Sequence, residues 1–276
     1  MTLLAPELAQ AALGRALQHG GDWAELYAEE RTGFAVSLDD RRVERPQSGR
    51  EVGASIRVVK GEATYFGHVD GLAEPDLLAL ADSVSQAMRE EAREAQLPSA
   101  FQPRRAYEVA EPPEEVDTAR KVELLRACDE TARAAGSDVA QVSANYAEGR
   151  RVVNVFNSAG FAAGDDRTRV RLGVQVVARR DDRVETGTDT RGGHAGFELV
   201  AEHPEELGES AARKAIAALD AVDAPAGRMP VVVGNGFGGV LLHEAIGHGL
   251  EADAVQKKAS VYAGRVGDKL AEDFVT

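Results

Sequence analysis

The run Arg169-Val170-Arg171-Leu172-Gly173-Val174-Gln175-Val176-Val177-Ala178 places an apolar side chain at every second position. Val170, Leu172, Val174, Val176 and Ala178 share one face, and Arg169 and Arg171 share the other. A period of two with one apolar and one charged face is the signature of a strand in an antiparallel sheet covered on one side.

The same alternation recurs on either side. Upstream, Ala140, Val142, Ala144 and Tyr146 alternate with polar residues, and Val153 and Val155 resume after an expected turn at Glu148-Gly149. Further back, Ala24, Leu26 and Ala28 predict one strand, and Phe34, Val36 and Leu38 a second that ends at a turn at Asp39-Asp40. Val52, Ala54, Ile56 and Val58 predict another, followed by a turn at Lys60-Gly61 and a strand at Thr64-Tyr65-Phe66. Met229 to Val233 reads as a short buried strand.

Helical spacing supplies the cover. Pro6 to Leu17 reads as an amphipathic helix ended by Gly20-Gly21. Proline is well tolerated at a helix start, so Glu74-Pro75 opens a second helix, with Leu77, Ala81, Val84 and Met88 recurring up to Pro98. A third runs over about 117–135, with Val122, Leu125, Cys128 and Ala132 on its apolar face; Cys128 is therefore expected to be a buried structural thiol. Pro204 to Leu219 is a fourth, with Leu207, Ala211, Ala215 and Ala218 aligned. The expected fold class is α/β of the α+β kind, with antiparallel or mixed sheets and covering helices. Residues 1–228 form the α/β region, with a link near 98–116, and residues 229–276 open a second region.

Bulk composition narrows the function. A net charge of −14 disfavours direct nucleic-acid binding, which needs a basic surface to displace counterions from phosphates. The one cysteine excludes an intrachain disulfide. No apolar run approaches the ~20 residues that span a bilayer, and the N-terminus lacks a basic signal-peptide region, so a cytoplasmic, membrane-free protein is expected.

Residues 243–248 read His-Glu-Ala-Ile-Gly-His. Two histidines with a glutamate beside the first is the residue set of a zinc hydrolase. His243 and His248 are the expected metal ligands. Zinc so held acidifies a water to a pKa of about 7, and Glu244 has the chemistry to take its proton and pass it to a leaving amine. The spacing is unusual. At 3.6 residues per turn, residues five apart on a regular helix lie about 140° apart, too far round to share an ion. A π-type turn would realign them, and Gly247 and Gly249 flank the second histidine, where unusual backbone angles would be tolerated.

The run Gly236-Phe237-Gly238-Gly239-Val240-Leu241-Leu242-His243-Glu244-Ala245-Ile246-Gly247-His248-Gly249-Leu250-Glu251-Ala252-Asp253 resembles the HExxxH segment of the TldD branch of TldD/PmbA peptidases, and Ser260 to Gly267 resembles the segment after it. The resemblance implies a zinc peptidase acting on flexible or unfolded peptides, with Zn2+ on His243 and His248 and Glu244 as catalytic base. It also implies an α/β N-terminal domain, a β-rich C-terminal domain, and a homodimer or a heterodimer with a PmbA-type paralogue. Members are also known as modulators of DNA gyrase. The family's third ligand is a cysteine in a C-terminal half that nothing here matches. The chain is thus expected to be a piece of a longer protein, stopping at what looks like a strand start in 273–276. On that reading it is inactive alone, binds zinc weakly, and leaves Phe237, Leu241 and Leu242 partly exposed.

Other readings stand beside these. A non-catalytic subunit that binds peptides or a paralogous partner is the second functional hypothesis. Gly234, Gly236 and Gly239 fit a dinucleotide-loop spacing, but no second strand ending in an acidic residue follows. His194 is either a third ligand or a loop residue, and Glu251 either a ligand or a neighbour of the site. His19, His68 and His203 have no companions in sequence.

Overall fold

The computed structural model describes residues 2–88, 92–99, 101, 104–236 and 238–273. Phe237 and residues 274–276, with the strand start expected there, lie outside the described residues. The chain divides into two units, Met1–Ala221 and Val222–Thr276.

The first unit is built on one seven-stranded antiparallel sheet, ordered β4-β3-β1-β5-β6-β7, with β2 on the end of β1. The strands are β1 (Trp23–Asp39), β2 (Arg42–Val43), β3 (Gln47–Lys60), β4 (Ala63–Asp70), β5 (Val139–Asn157), β6 (Ala162–Arg180) and β7 (Arg183–Gly193). Four helices of any length accompany them: α1 (Pro6–Ala16), α2 (Glu74–Ser85), α3 (Thr118–Ala134) and, after the single turn α4 (Glu198–Ala201), α5 (Glu205–Leu219).

Parity decides the layering, because alternate side chains leave a strand on opposite faces. Ala24, Leu26, Ala28, Val36 and Leu38 in β1, Ala54, Ile56 and Val58 in β3, and Val142, Ala144, Tyr146 and Phe156 in β5 are all even-numbered and all buried. The strands pair in continuous register across β1, so these residues share one face. The helices cover that face as two groups. Leu13, Ala16, Leu77 and Ala81 of α1 and α2 close one apolar cluster with Leu26, Ile56 and Phe156. Leu125, Cys128, Ala211 and Ala215 of α3 and α5 close the other with Leu38, Tyr146 and Leu172. The odd-numbered face carries Arg31, Glu51, Arg57, Arg151, Arg169 and Arg171, as a solvated face requires.

Between the two apolar clusters the covered face is ionic. Arg150 donates to Asp166 through Nε (2.9 Å) and Nη2 (2.8 Å), and Arg105 adds a third bond at 3.1 Å. Arg50 donates to Glu30 at 2.9 Å. Lys121 of α3 reaches Glu148 at 2.7 Å with both side chains buried, and its Nζ lies 4.5 Å from the centre of the Phe34 ring. A buried pair of this kind is costly to break by removing one partner, since the other charge is left uncompensated.

Several expectations are corrected. No turn interrupts β5 at Glu148-Gly149: Gly149 pairs with Gly33 on one side and Arg169 on the other, so both neighbouring strands satisfy its backbone. For the same reason β1 runs unbroken through residues 30–34. α2 stops at Ser85, not near Pro98; downstream, Gln96 N donates to Ser158 O and Ser99 N to Gly160 O, which ties this stretch to the β5–β6 turn. β7 carries no sequence signal of a strand, because its sequence, rich in threonine and glycine, lacks apolar alternation. α5 packs onto it at Gly187, where a Cβ would fall 2.2 Å from Ala211 O.

In the second unit, Met229–Val233 is not a strand and its side chains are exposed, Val232 almost fully. A strand needs a hydrogen-bonding neighbour, and no described strand pairs with it. None of this unit's described residues is buried. No helix among the described residues is long and apolar enough to cross a membrane.

Candidate metal centre

The segment that carries the histidines changes pitch twice. A short helix α6 (Gly238–Leu242) leads into a π-turn over His243–Gly247, then a 3-10 turn over His248–Leu250. The chain leaves in extended form at Glu251 and enters α7 (Ala252–Gln256). The decisive bond runs from the backbone N–H of His248 to the carbonyl of His243, five residues earlier. That wider winding brings side chains five apart onto one face. The two imidazole centroids lie 4.5 Å apart, edge to face at 71°.

The glycines act differently from expectation. Gly247 has ordinary helical angles, φ −56° and ψ −52°, so the π-turn does not draw on glycine's conformational freedom. Gly249 matters for space: a Cβ there would sit 2.7 Å from Tyr262 Cε2. Ser260 Oγ donates to Gly249 O and accepts from Tyr262 N at 3.1 Å. The segment after the motif is thereby folded back against its end.

Ligand-capable atoms of His243, Glu244 and His248 all lie within 4.8 Å of one another, and all three side chains are exposed or nearly so. His248 Nε2 is 3.5 Å from Glu244 Oε2, while its Nδ1 is 2.7 Å from Glu251 Oε1. The hydrogen bond to Glu251, with the charges of Glu251 and Glu244, raises the His248 pKa above the ordinary histidine value. Two imidazoles and a carboxylate make a donor set that suits a borderline divalent ion such as zinc. Leu241 and Leu242 beside the site are exposed.

Three of the other histidines, His19, His194 and His203, are otherwise engaged. Arg169 Nε donates to His194 Nε2 at 2.6 Å and Tyr107 stacks on its ring, so the lone pair a metal would need is taken. His19 meets Ser85 and His203 meets Glu205. Cys128 Sγ donates to Pro204 O at 3.1 Å, and burial pushes its pKa up to about 12. Gly234 and Gly236 follow no strand, and Gly239 lies inside a helix of only five residues, so the dinucleotide reading has no support. The Glu251 contact is the one whose signal in the sequence is the i,i+3 spacing from His248.

Comparison with known proteins adds a match along most of the chain. Residues 24–90, 111–219 and 226–276 match, in that order, domain 1, the central domain and the C-terminal domain of the PmbA/TldA metallopeptidases. The chain belongs to the PmbA/TldD family. Within this family it is similar to the metalloprotease TldD homolog of Haemophilus influenzae, 34% identical over 264 residues, covering 92% of this chain and 55% of the relative. It is 30% identical over 258 residues to a metalloprotease of Methanothermobacter thermautotrophicus, covering 92% and 56%. The chain thus spans a little over half the length of these PmbA/TldD relatives. Among solved structures, a candidate modulator of DNA gyrase from Bacteroides thetaiotaomicron superposes with a TM-score of 0.70 at 17% identity, covering 94% of this chain and 60% of that one. TldE from Thermococcus kodakarensis superposes at 0.67 and 17%, covering 91% and 57%. These likenesses establish the PmbA/TldD fold. Two of the matched domains share one sheet here, joined where β1 pairs with β5.

Proposed function

We propose that this chain carries the metal-binding helix of a zinc-dependent peptidase that hydrolyses flexible or unfolded peptides. The observation that carries the reading is the π-turn that sets His243 and His248 on one face with Glu244 between them. The names of the relatives, metalloproteases, support the same class. His243 and His248 would hold the cation through ring nitrogens, leaving positions for a further ligand, water and substrate. When bound, zinc supplies a Lewis acid that polarises a peptide carbonyl and acidifies water. Glu244, exposed beside both rings, accepts a proton from the attacking water and returns it to the departing amine. Its side chain needs no metal bond to do so. A homodimer, or a heterodimer with a PmbA-type paralogue, is the working assembly on this reading; it rests on the family alone.

Peptide hydrolysis by the metal-loaded enzyme, assayed in a protein of the relatives' full length, is the test. Glu244→Gln should keep its metal and lose turnover by about 10²–10⁴-fold, the usual contribution of a positioned acid–base group. Retained turnover, or loss of the metal in that variant, would refute the role and favour a non-catalytic binding subunit.

A further inference from the structure

We propose that Glu251 is a positioning residue for the metal centre: by accepting the Nδ1 proton of His248 it fixes Nε2 as the atom offered to the cation. The inference rests on the metal-centre reading above and deepens it.

Geometry carries it. Glu251 Oε1 lies 2.7 Å from His248 Nδ1. An ionised carboxylate has no proton to give, so the hydrogen in that bond belongs to the imidazole. A neutral His248 with its proton on Nδ1 has its lone pair on Nε2. That nitrogen is the one on the side of Glu244, at 3.5 Å from its Oε2. The nitrogen that faces Glu244 is therefore the one left free to bind. Carboxylates that hold the distal nitrogen of a ligating histidine fix its tautomer and ring orientation and raise its basicity.

Local structure leaves Glu251 free for this task. It stands at the N-terminal cap of α7, yet its side chain makes no capping bond there. Its backbone carbonyl accepts the first helical bond, from Val255 N at 3.0 Å, and its carboxylate is turned to His248 instead. The 3-10 turn at His248–Leu250 sets the spacing, because side chains three apart nearly eclipse on that winding. Glu251 is exposed, so its replacement removes no buried packing.

Two readouts on the intact chain test the assignment. In the metal-free protein, above the imidazole titration, nitrogen NMR should find His248 protonated on Nδ1, with the proton moving toward Nε2 in Glu251→Ala. In calorimetric zinc titrations, Glu251→Ala should bind about 10–100-fold more weakly than the parent. Glu251→Gln, whose amide oxygen still accepts the Nδ1 proton, should recover most of both signals. Glu251's role is overturned if the parent His248 already carries its proton on Nε2. It is equally overturned if Glu251→Ala titrates like the parent while His243→Ala loses the site. If His243→Ala also titrates like the parent, the metal-centre reading itself fails.

Discussion

The backbone N–H of His248 bonds to the carbonyl of His243, and this single i→i+5 bond turns two residues that a regular helix would separate into neighbours with ring centroids 4.5 Å apart. The metal-binding reading depends on that bond, since two imidazoles about 140° apart on a 3.6-residue helix could not share an ion. Around it the rest of the molecule makes independent predictions.

α3 and α5 touch at Gly208, where a Cβ would fall 2.2 Å from Cys128 O, a backbone atom that cannot swing aside. Gly208→Ala should therefore cost about 1–3 kcal/mol, the usual range for overpacking. Gly14, inside α1, has open space around its Cβ position. Gly14→Ala should stabilise by about 0.5–1 kcal/mol through helix propensity. Urea denaturation of the two variants checks both signs; equal effects would contradict the packing described between α3 and α5.

Cys128 is fully buried and its thiol is held protonated, pushed up to about 12 mainly by desolvation. Thiolates, not thiols, attack disulfide and alkylating reagents. Ellman's reagent should leave Cys128 untouched in the native protein at pH 8 and titrate it fully in denaturant. Rapid native labelling would contradict its place in the α3–α5 core.

Asp166 gives a pH signature. Hydrogen bonds from Arg150 lower its pKa against the opposing effect of burial, with Arg105 adding to the lowering. A carboxyl depressed in the folded state stabilises fully above its unfolded value, about 3.9, and the contribution is lost as pH falls through the folded value. Asp166→Asn should lose about 1–2 kcal/mol near pH 7, a figure kept low because Arg150 is partly exposed. The gap between parent and variant should close below pH 4. A gap independent of pH between 7 and 3 would show that the carboxylate's charge does not stabilise this belt.

How much of this was legible in the sequence follows from what each signal encodes. Alternation along Val170–Ala178 and the helical spacing in Leu207–Ala215 report burial directly, and both elements appear where those patterns place them. Gly149 suggests a turn and sits in a strand, because a glycine's local preference for turns says nothing of the two strands that flank it. β7 is silent in the sequence because most of its residues are exposed and, at Gly187, the close approach of α5 favours glycine over an apolar residue. Met229–Val233 has the composition of a buried strand without a described neighbour to pair with. At the site, the i,i+5 histidines announced the π-turn because sharing a metal demands it, whereas the glycines, expected to permit the distortion, retain ordinary angles at Gly247. Which nitrogen of His248 meets Glu251 depends on ring orientation, which spacing alone does not encode.

The central claim is that His243 and His248 together hold a divalent metal. Calorimetric titration of the chain with zinc, alongside His243→Ala, His248→Ala and His194→Ala, tests it most directly. The account predicts one site whose binding is lost in either of the first two variants and is unchanged in His194→Ala, whose ring nitrogen is already bonded to Arg169. Zinc binding that survives both His243→Ala and His248→Ala, or that disappears with His194→Ala, would contradict it.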